Sequence, residues 1–192
     1  SRIFAKLIAT PLKGLTLNAE FTYDHLNYNV TNFTKRVVYA NADKFSEDST
    51  GDNSTYYRNK EMTNYTALNI YGTYNKVFSE KHNFTVMLGY NLENSYKEGL
   101  SVTASEMIND ELPSISQSVG EKKPDDSFNE FSILGFFGRL NYTYKERYLL
   151  ELSGRADASS KFPSGSRWGF FPSASVGWRI MEEPFMESLR EY

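Results

Sequence analysis

Between Tyr148 and Asp157 the chain alternates with a period of two. Tyr148, Leu150, Leu152, Gly154 and Ala156 fall on one side of an extended backbone, and Leu149, Glu151, Ser153, Arg155 and Asp157 on the other. That period is the one a β-strand imposes. A longer run follows the same rule from Asn83 to Tyr96. Phe84, Val86, Leu88, Tyr90 and Leu92 share one face, against Asn83, Thr85, Gly89, Asn91, Glu93 and Ser95, and only Met87 interrupts the polar row. In Phe131 to Tyr144 the apolar row is Leu134, Phe136, Leu140, Tyr142 and Tyr144, beside Arg139, Asn141 and Thr143. Leu15 to Asp24, Thr63 to Phe78, a weakly patterned Arg2 to Thr10 and the aromatic Trp168 to Ile180 complete seven predicted strands.

Alternation alone fits two architectures. In a soluble sandwich the charged face meets water, whereas in a membrane barrel the apolar face meets lipid and the charged face lines the lumen. Strand length separates them. Soluble strands run to about 5–6 residues, and a tilted membrane strand needs roughly 9–11. The long runs here, and the tyrosines closing Phe131 to Tyr144, suit strands that end in an interfacial aromatic girdle. The predicted fold is all-β, an antiparallel transmembrane β-barrel segment. The connections alternate in length, short at Pro11 to Gly14, Ser79 to His82 and Lys145 to Arg147, and longer at Thr31 to Lys60, Val102 to Glu130 and Ser159 to Arg167. Barrels of this kind have short periplasmic turns and long extracellular loops, which assigns the two sides. The tail from Glu182 to Tyr192, with Pro184 near its start, reads as a short periplasmic helix.

Composition adds exclusions. The 192 residues include no cysteine, so a disulfide scaffold, a thiolate metal site and a cysteine nucleophile are ruled out. A net charge of −3 gives no electrostatic case for nucleic acid. The mean hydropathy of −0.55 argues against membrane-spanning helices and leaves a barrel, whose strands are half polar, untouched. The sequence opens at Ser1 without an initiator Met or a signal peptide, as expected of a processed or excised piece.

Three segments, GRLNYTYKERYLLELSGRADASSKF, RWGFFPSASVGWRI and EEPFM, together resemble the C-terminal half of the SusC/RagA group of TonB-dependent transporters. LKGLTLNAEFTYD and YNKVFSEKHNFTVMLGYN are similar to the same group, so the resemblance spans most of the chain outside the two long connections. One departure is Ala158, where the family usually has glycine before a Ser-Ser pair. The resemblance implies a barrel of roughly 22 strands with a plugged lumen, of which residues 1–192 supply about seven. A plug domain and TonB box are not visible in this chain. It further implies TonB-driven import of glycans or peptides across the Gram-negative outer membrane, with outer-membrane lipid and a SusD-like surface lipoprotein as partners.

By parity, Glu93, Arg139, Glu151, Arg155, Asp157 and Arg179 point into the lumen, as cross-strand ion pairs or as contacts to a plug. The aromatic residues of the outward connections, Tyr39, Phe45, Tyr56, Tyr57 and Phe128, are the candidates for substrate or lipoprotein contact, because flat rings suit sugar faces and rigid interface anchors. Other chemistry is absent from the pattern. His25 and His82 lack partner ligands for zinc, and the acidic run around Asp43, Glu47, Asp48 and Asp52 lacks calcium-loop spacing. No phosphate-binding glycine loop and no nucleophile–base set is present. The expectation is a non-enzyme without cofactor or metal. The rival reading is a secreted, soluble β-sandwich that binds carbohydrate, in which the apolar rows would form a shared buried core.

Overall fold

A computed structural model describes residues 1–41, 46–49 and 53–189. Its nine strands are β1 (Arg2–Leu12), β2 (Leu15–Thr34), β3 (Val38–Asn41), β4 (Ser46–Ser49), β5 (Thr55–Phe78), β6 (His82–Ser105), β7 (Lys122–Tyr144), β8 (Tyr148–Ser159) and β9 (Trp168–Trp178). Seven form one sheet in the order β1-β2-β5-β6-β7-β8-β9, and β3 pairs with β4 in a separate hairpin. The seven predicted strands are all present, in meander order. Four of them are much longer than the alternation predicts: β2 runs on to Thr34, β5 begins at Thr55, β6 reaches Ser105 and β7 begins at Lys122, while β1 and β8 each run two residues further. The connections read as long loops are therefore partly strand. The reason lies in the pattern: after Tyr23 the apolar row of β2 changes phase, from odd positions to Leu26, Tyr28 and Val30, and Lys122–Glu130 is polar on both faces apart from Phe128, so the period of two does not run on through either stretch.

The chain divides into two compact units, one formed by 1–24, 65–95 and 131 onward, the other by 25–64 and 96–130. In the first unit β1 pairs with β2 from Arg2↔Asp24 to Leu12↔Leu15, with a register irregularity between Ala9 and Leu12. Pro11 lies in that irregular stretch, and a proline has no N–H to give to the ladder. β7 pairs with β8 through Phe136↔Ala156, Leu140↔Leu152 and Tyr144↔Tyr148. β8 pairs with β9 through Ala158↔Trp168, Leu152↔Ala174 and Tyr148↔Trp178. Two tight turns join long strands. Ser79 and Glu80 (φ 49° and 58°), like Lys145 and Glu146 (50° and 59°), are left-handed at both central positions. This is the primed geometry whose twist matches that of the flanking strands. Lys81 N–H donates to Phe78 O at 3.2 Å and Arg147 N–H to Tyr144 O at 3.0 Å.

Directly opposed residues share a face, so the pairings make one side of β7–β8–β9 a band of Phe136, Ala156 and Phe170, then Gly138, Gly154 and Pro172, then Leu140, Leu152 and Ala174. No second layer covers this side among the described residues: Leu88 is 67% exposed and Val176 85%. A sandwich would bury such a row. The only buried apolar residues among those described are Tyr56, Ala67 and Ala104, too few for a core.

The second unit contains a cluster of polar contacts. Around the buried Ala104 and Ser54, Met107 N–H donates to Ser54 Oγ at 3.0 Å. Ser118 Oγ–H donates to Ser105 O at 2.6 Å. Lys122 Nζ donates to Ser118 O at 2.7 Å.

Past β9 the short helix expected in the tail takes the tighter 3₁₀ form, over Ile180–Glu182 and Pro184–Leu189.

Candidate functional site

The apolar side of the first unit is bounded by aromatic residues at both ends. At the turn end, Tyr148 stacks on Trp178 with centroids 6.4 Å apart, and Phe84 lies against Tyr142 at 4.6 Å. At the other end Phe136 stacks on Trp168 at 6.2 Å and touches Tyr90 at 5.7 Å. Trp168 and Trp178 are the first and last residues of the 11-residue β9 and lie on the same side. That separation is about 33 Å along a strand. At the usual barrel tilt it projects to roughly 25 Å, the height of the apolar band on an outer-membrane barrel.

The opposite side carries an interlocked polar row. Arg155 Nε donates to both oxygens of Asp157 at 2.7 Å, and one of its terminal nitrogens reaches Asn91 Oδ1 at 3.4 Å. Asn91 in turn donates to Asn69 at 2.7 Å, and Tyr65 O–H donates to Glu93 at 3.0 Å. The guanidinium also rests over the Phe137 ring, 5.7 Å from its centroid. Asp157 is flanked in the ladder by Gly135 and Gly169. A side chain at Gly135 would strike the Asp157 carboxylate and come within 2.8 Å of the Arg155 guanidinium, so the missing Cβ is what lets the pair lie across the sheet. Glu93, Arg155, Asp157, Phe162, Arg167 and Phe171 line a pocket of about 450 Å³ here.

Three of the predicted polar-face charges, Glu93, Arg155 and Asp157, thus meet in one place. Arg139 and Glu151 form a separate, half-exposed pair at 3.9 Å. Arg179 falls just past the end of β9, where strand parity no longer sets its direction, and its backbone N–H donates to Arg147 O at 2.8 Å. In the second unit, Phe128 is 64% exposed, and its ring meets Tyr96 edge-on at 5.3 Å. With Asn27, Asn29, Lys60, Glu98 and Asp126 it lines a pocket of about 640 Å³. Tyr56 is 7% exposed and packs inside its own unit, and Tyr57 is half-buried. The Tyr39 backbone sits in β3, paired with Asp48, and Phe45 lies outside the described residues.

One constellation escaped the sequence reading. The Glu183 carboxylate, 7% exposed, accepts Tyr148 O–H at 2.6 Å, Trp178 Nε1–H at 3.0 Å and an Arg147 N–H at 3.2 Å. It ties the tail to the β7–β8 turn and the end of β9. The hydrogen bond from Tyr148 and then that from Trp178, with Arg147 adding to them, hold this carboxyl below its usual range. A carboxylate with a lowered folded-state pKa stabilises fully above its unfolded value of about 4.3, and that contribution fades as pH falls through the folded value. Acidification from about pH 5 is accordingly expected to loosen the tail. Trp178 fluorescence and proteolysis of the 180–189 segment should report it, and Glu183→Gln should show a loosened tail with no acid transition of its own.

An antiparallel sheet with a bare apolar band between two aromatic rows, a polar opposite face and open edges at β1 and β9 defines the wall of a membrane β-barrel. The family described as "TonB dependent receptor-like, beta-barrel" matches residues 8–189, and the chain belongs to it. TonB-dependent receptor P3 of Formosa agariphila is 28% identical over 179 residues, covering 92% of this chain and 17% of the relative. TonB-dependent receptor SusC of Bacteroides thetaiotaomicron is 45% identical over 58 residues, 30% of this chain and 6% of that protein. Among solved structures, that of the RagAB peptide transporter superposes with a TM-score of 0.84 at 22% identity, over 97% of this chain and 20% of the matched one. The chain thus spans less than a fifth of the relatives it matches along most of its own length. The wall is of SusC/RagA type.

Proposed function

We propose that residues 1–192 form part of the barrel wall of a TonB-dependent importer in the Gram-negative outer membrane. The importer takes up glycans or peptides together with a SusD-like surface lipoprotein. The observation that carries this reading is the two-faced sheet of the first unit, bare and apolar on one side and ion-paired on the other. In lipid the apolar band meets acyl chains, and Glu93, Arg155 and Asp157 face a hydrated lumen where charge is tolerated. The unpaired edges of β1 and β9 have no place in hydrocarbon, so further strands complete the barrel. The plug and the TonB box belong to other parts of the same transporter. The SusC and RagAB likenesses support the glycan-or-peptide class and the lipoprotein partner. The polar row of Arg155, Asp157, Asn91 and Glu93 serves as the docking face for the plug. Phe128 and its pocket serve capture, with a flat ring beside amides and carboxylates.

The test is ligand uptake by cells expressing the complete transporter. Uptake should depend on TonB and stop when a protonophore collapses the proton gradient. The protein should fractionate with the outer membrane and change its gel mobility on heating. Recovery as a soluble monomer that unfolds cooperatively without detergent would return the reading to the carbohydrate-binding sandwich. Within that assay, Phe128→Ala is expected to weaken capture about tenfold, the loss typical of an exposed aromatic anchor. Tm is expected to stay put, because the ring is largely exposed and meets Tyr96 edge-on at the surface. Titration of ligand binding on intact cells measures it.

A further inference from the structure

The turn-end aromatic row of the first unit carries cations as well as rings. Phe78 meets Phe84 edge-on at 5.8 Å. His82 stacks on Tyr142 at 6.0 Å, with Nδ1 2.8 Å from the Tyr142 hydroxyl, and leans on Tyr144 at 4.9 Å. Tyr144 then stacks on Tyr148 at 6.2 Å. At two points along this row a lysine is drawn up against a ring. Lys76 Nζ lies 4.7 Å from the centroid of Phe78, and Lys145 Nζ lies 5.3 Å from that of Tyr144.

Both lysines are exposed, and neither closes an ion pair with a described carboxylate. Nearby Arg147 differs: its charge is taken up by Glu183. Glu80 and Glu146 sit at the tips of the two tight turns, next in sequence to Lys81 and Lys145, and the salt bridges described include neither glutamate. The turns are adjacent, since Lys145 N–H donates to Lys81 O at 2.7 Å. The result is a rim where an apolar band ends, aromatic rings begin, and two ammonium groups lie over the rings with no ion pair among the described residues.

We propose that this rim is a binding site for the phosphate of an anionic glycerophospholipid, with Lys76 and Lys145 as its donors and the acyl chains laid along Val86, Leu140 and Leu150. The inference rests on the reading that this face meets lipid. An ammonium at the border of hydrocarbon and water loses hydration on one side, and a phosphate diester at the same depth restores hydrogen bonds and charge. The stems of the lysines and the rings cover apolar surface while their polar ends reach the headgroup layer. A zwitterionic headgroup brings its own ammonium and leaves the two lysines less well neutralised, so a net-anionic lipid is preferred.

The experiment takes the complete transporter in detergent and titrates dioleoylphosphatidylglycerol, with phosphate-free dioleoylglycerol as the reference, using native mass spectrometry. Lys76→Gln with Lys145→Gln is expected to weaken phosphatidylglycerol binding about fivefold per lysine and about 25-fold together. Dioleoylglycerol binding should not change. Lys76→Arg with Lys145→Arg keeps both charges and should hold binding near the starting value, which separates lost charge from a damaged barrel. Unchanged phosphatidylglycerol affinity in the double glutamine variant overturns the site while leaving the membrane reading intact. Binding of neither lipid by the unsubstituted protein, together with solubility without detergent, overturns both.

Discussion

Arginine in place of Leu88 or Leu152 is expected to destabilise the assembled barrel by about 2–4 kcal/mol, the range for a cation at mid-depth on a lipid-facing barrel surface. Both positions lie near the middle of the apolar band. Leu152 is opposed by Leu140 and Ala174, and a Cβ at Gly138 would meet Leu88 Cδ2 at 3.0 Å, which puts Leu88 beside Gly138. Ser175 opposes Glu151 on the other face, so Ser175→Arg gains a cross-strand partner and should stay within about 0.5 kcal/mol of the starting protein. Equilibrium folding of the full barrel into vesicles against denaturant measures all three. The contrast between faces is the informative quantity. Leucines as exposed as Leu88 would accept arginine almost freely if that face met water. Equal, small effects at Leu88, Leu152 and Ser175 would therefore remove hydrocarbon from the picture.

What could be read in advance follows from where two environments meet across one strand. From Tyr148 to Asp157 each residue faces either hydrocarbon or a polar interior, so burial chemistry writes a period of two into the sequence and parity places Arg155, Asp157 and Glu93 on one face. The Arg155–Asp157 contact itself follows from that parity, since residues two apart in a strand stand side by side. Its partners do not. Asn91, Asn69, Tyr65 and Phe137 depend on the register between strands, which no single strand discloses. The strand extension in 25–34 moves its apolar row to Leu26, Tyr28 and Val30, out of phase with Leu15 to Tyr23, and that in 122–130 is polar on both sides apart from Phe128; β7 even includes Pro124, a residue that normally demotes a strand assignment. Neither leaves a single unbroken period of two to follow from the core of the strand into its extension. The Glu183 clamp was hidden for another reason. Its three donors come from the β7–β8 turn, the start of β8 and the end of β9, so only the closed ladder brings them to one carboxylate. The adjacent acidic pair Glu182–Glu183 gave no hint that one member would be buried.

Gly89→Val is expected to cost about 1–3 kcal/mol, the usual range for forcing extra atoms into filled space. Gly89 lies on the polar face beneath the contact between Tyr71 and Phe137, whose centroids are 6.5 Å apart. Any Cβ placed there would overlap the Phe137 ring and lie 2.8 Å from Tyr71 Cβ. The clashing Phe137 atoms are the far end of a rotatable side chain; Tyr71 Cβ, fixed to the β5 backbone, cannot turn away. A displaced Phe137 would also withdraw the surface on which the Arg155 guanidinium rests, so the substitution should reach the Arg155–Asn91 contact through the ring. A double-mutant cycle with Phe137→Ala isolates the ring's share. In that background much of the Gly89→Val penalty should vanish, and the remainder is the Tyr71 contact. Denaturant titration of the four proteins gives the coupling. Strictly additive penalties would mean that the polar face is looser than its glycines indicate, and that Gly89 is dispensable to the packing that positions Arg155.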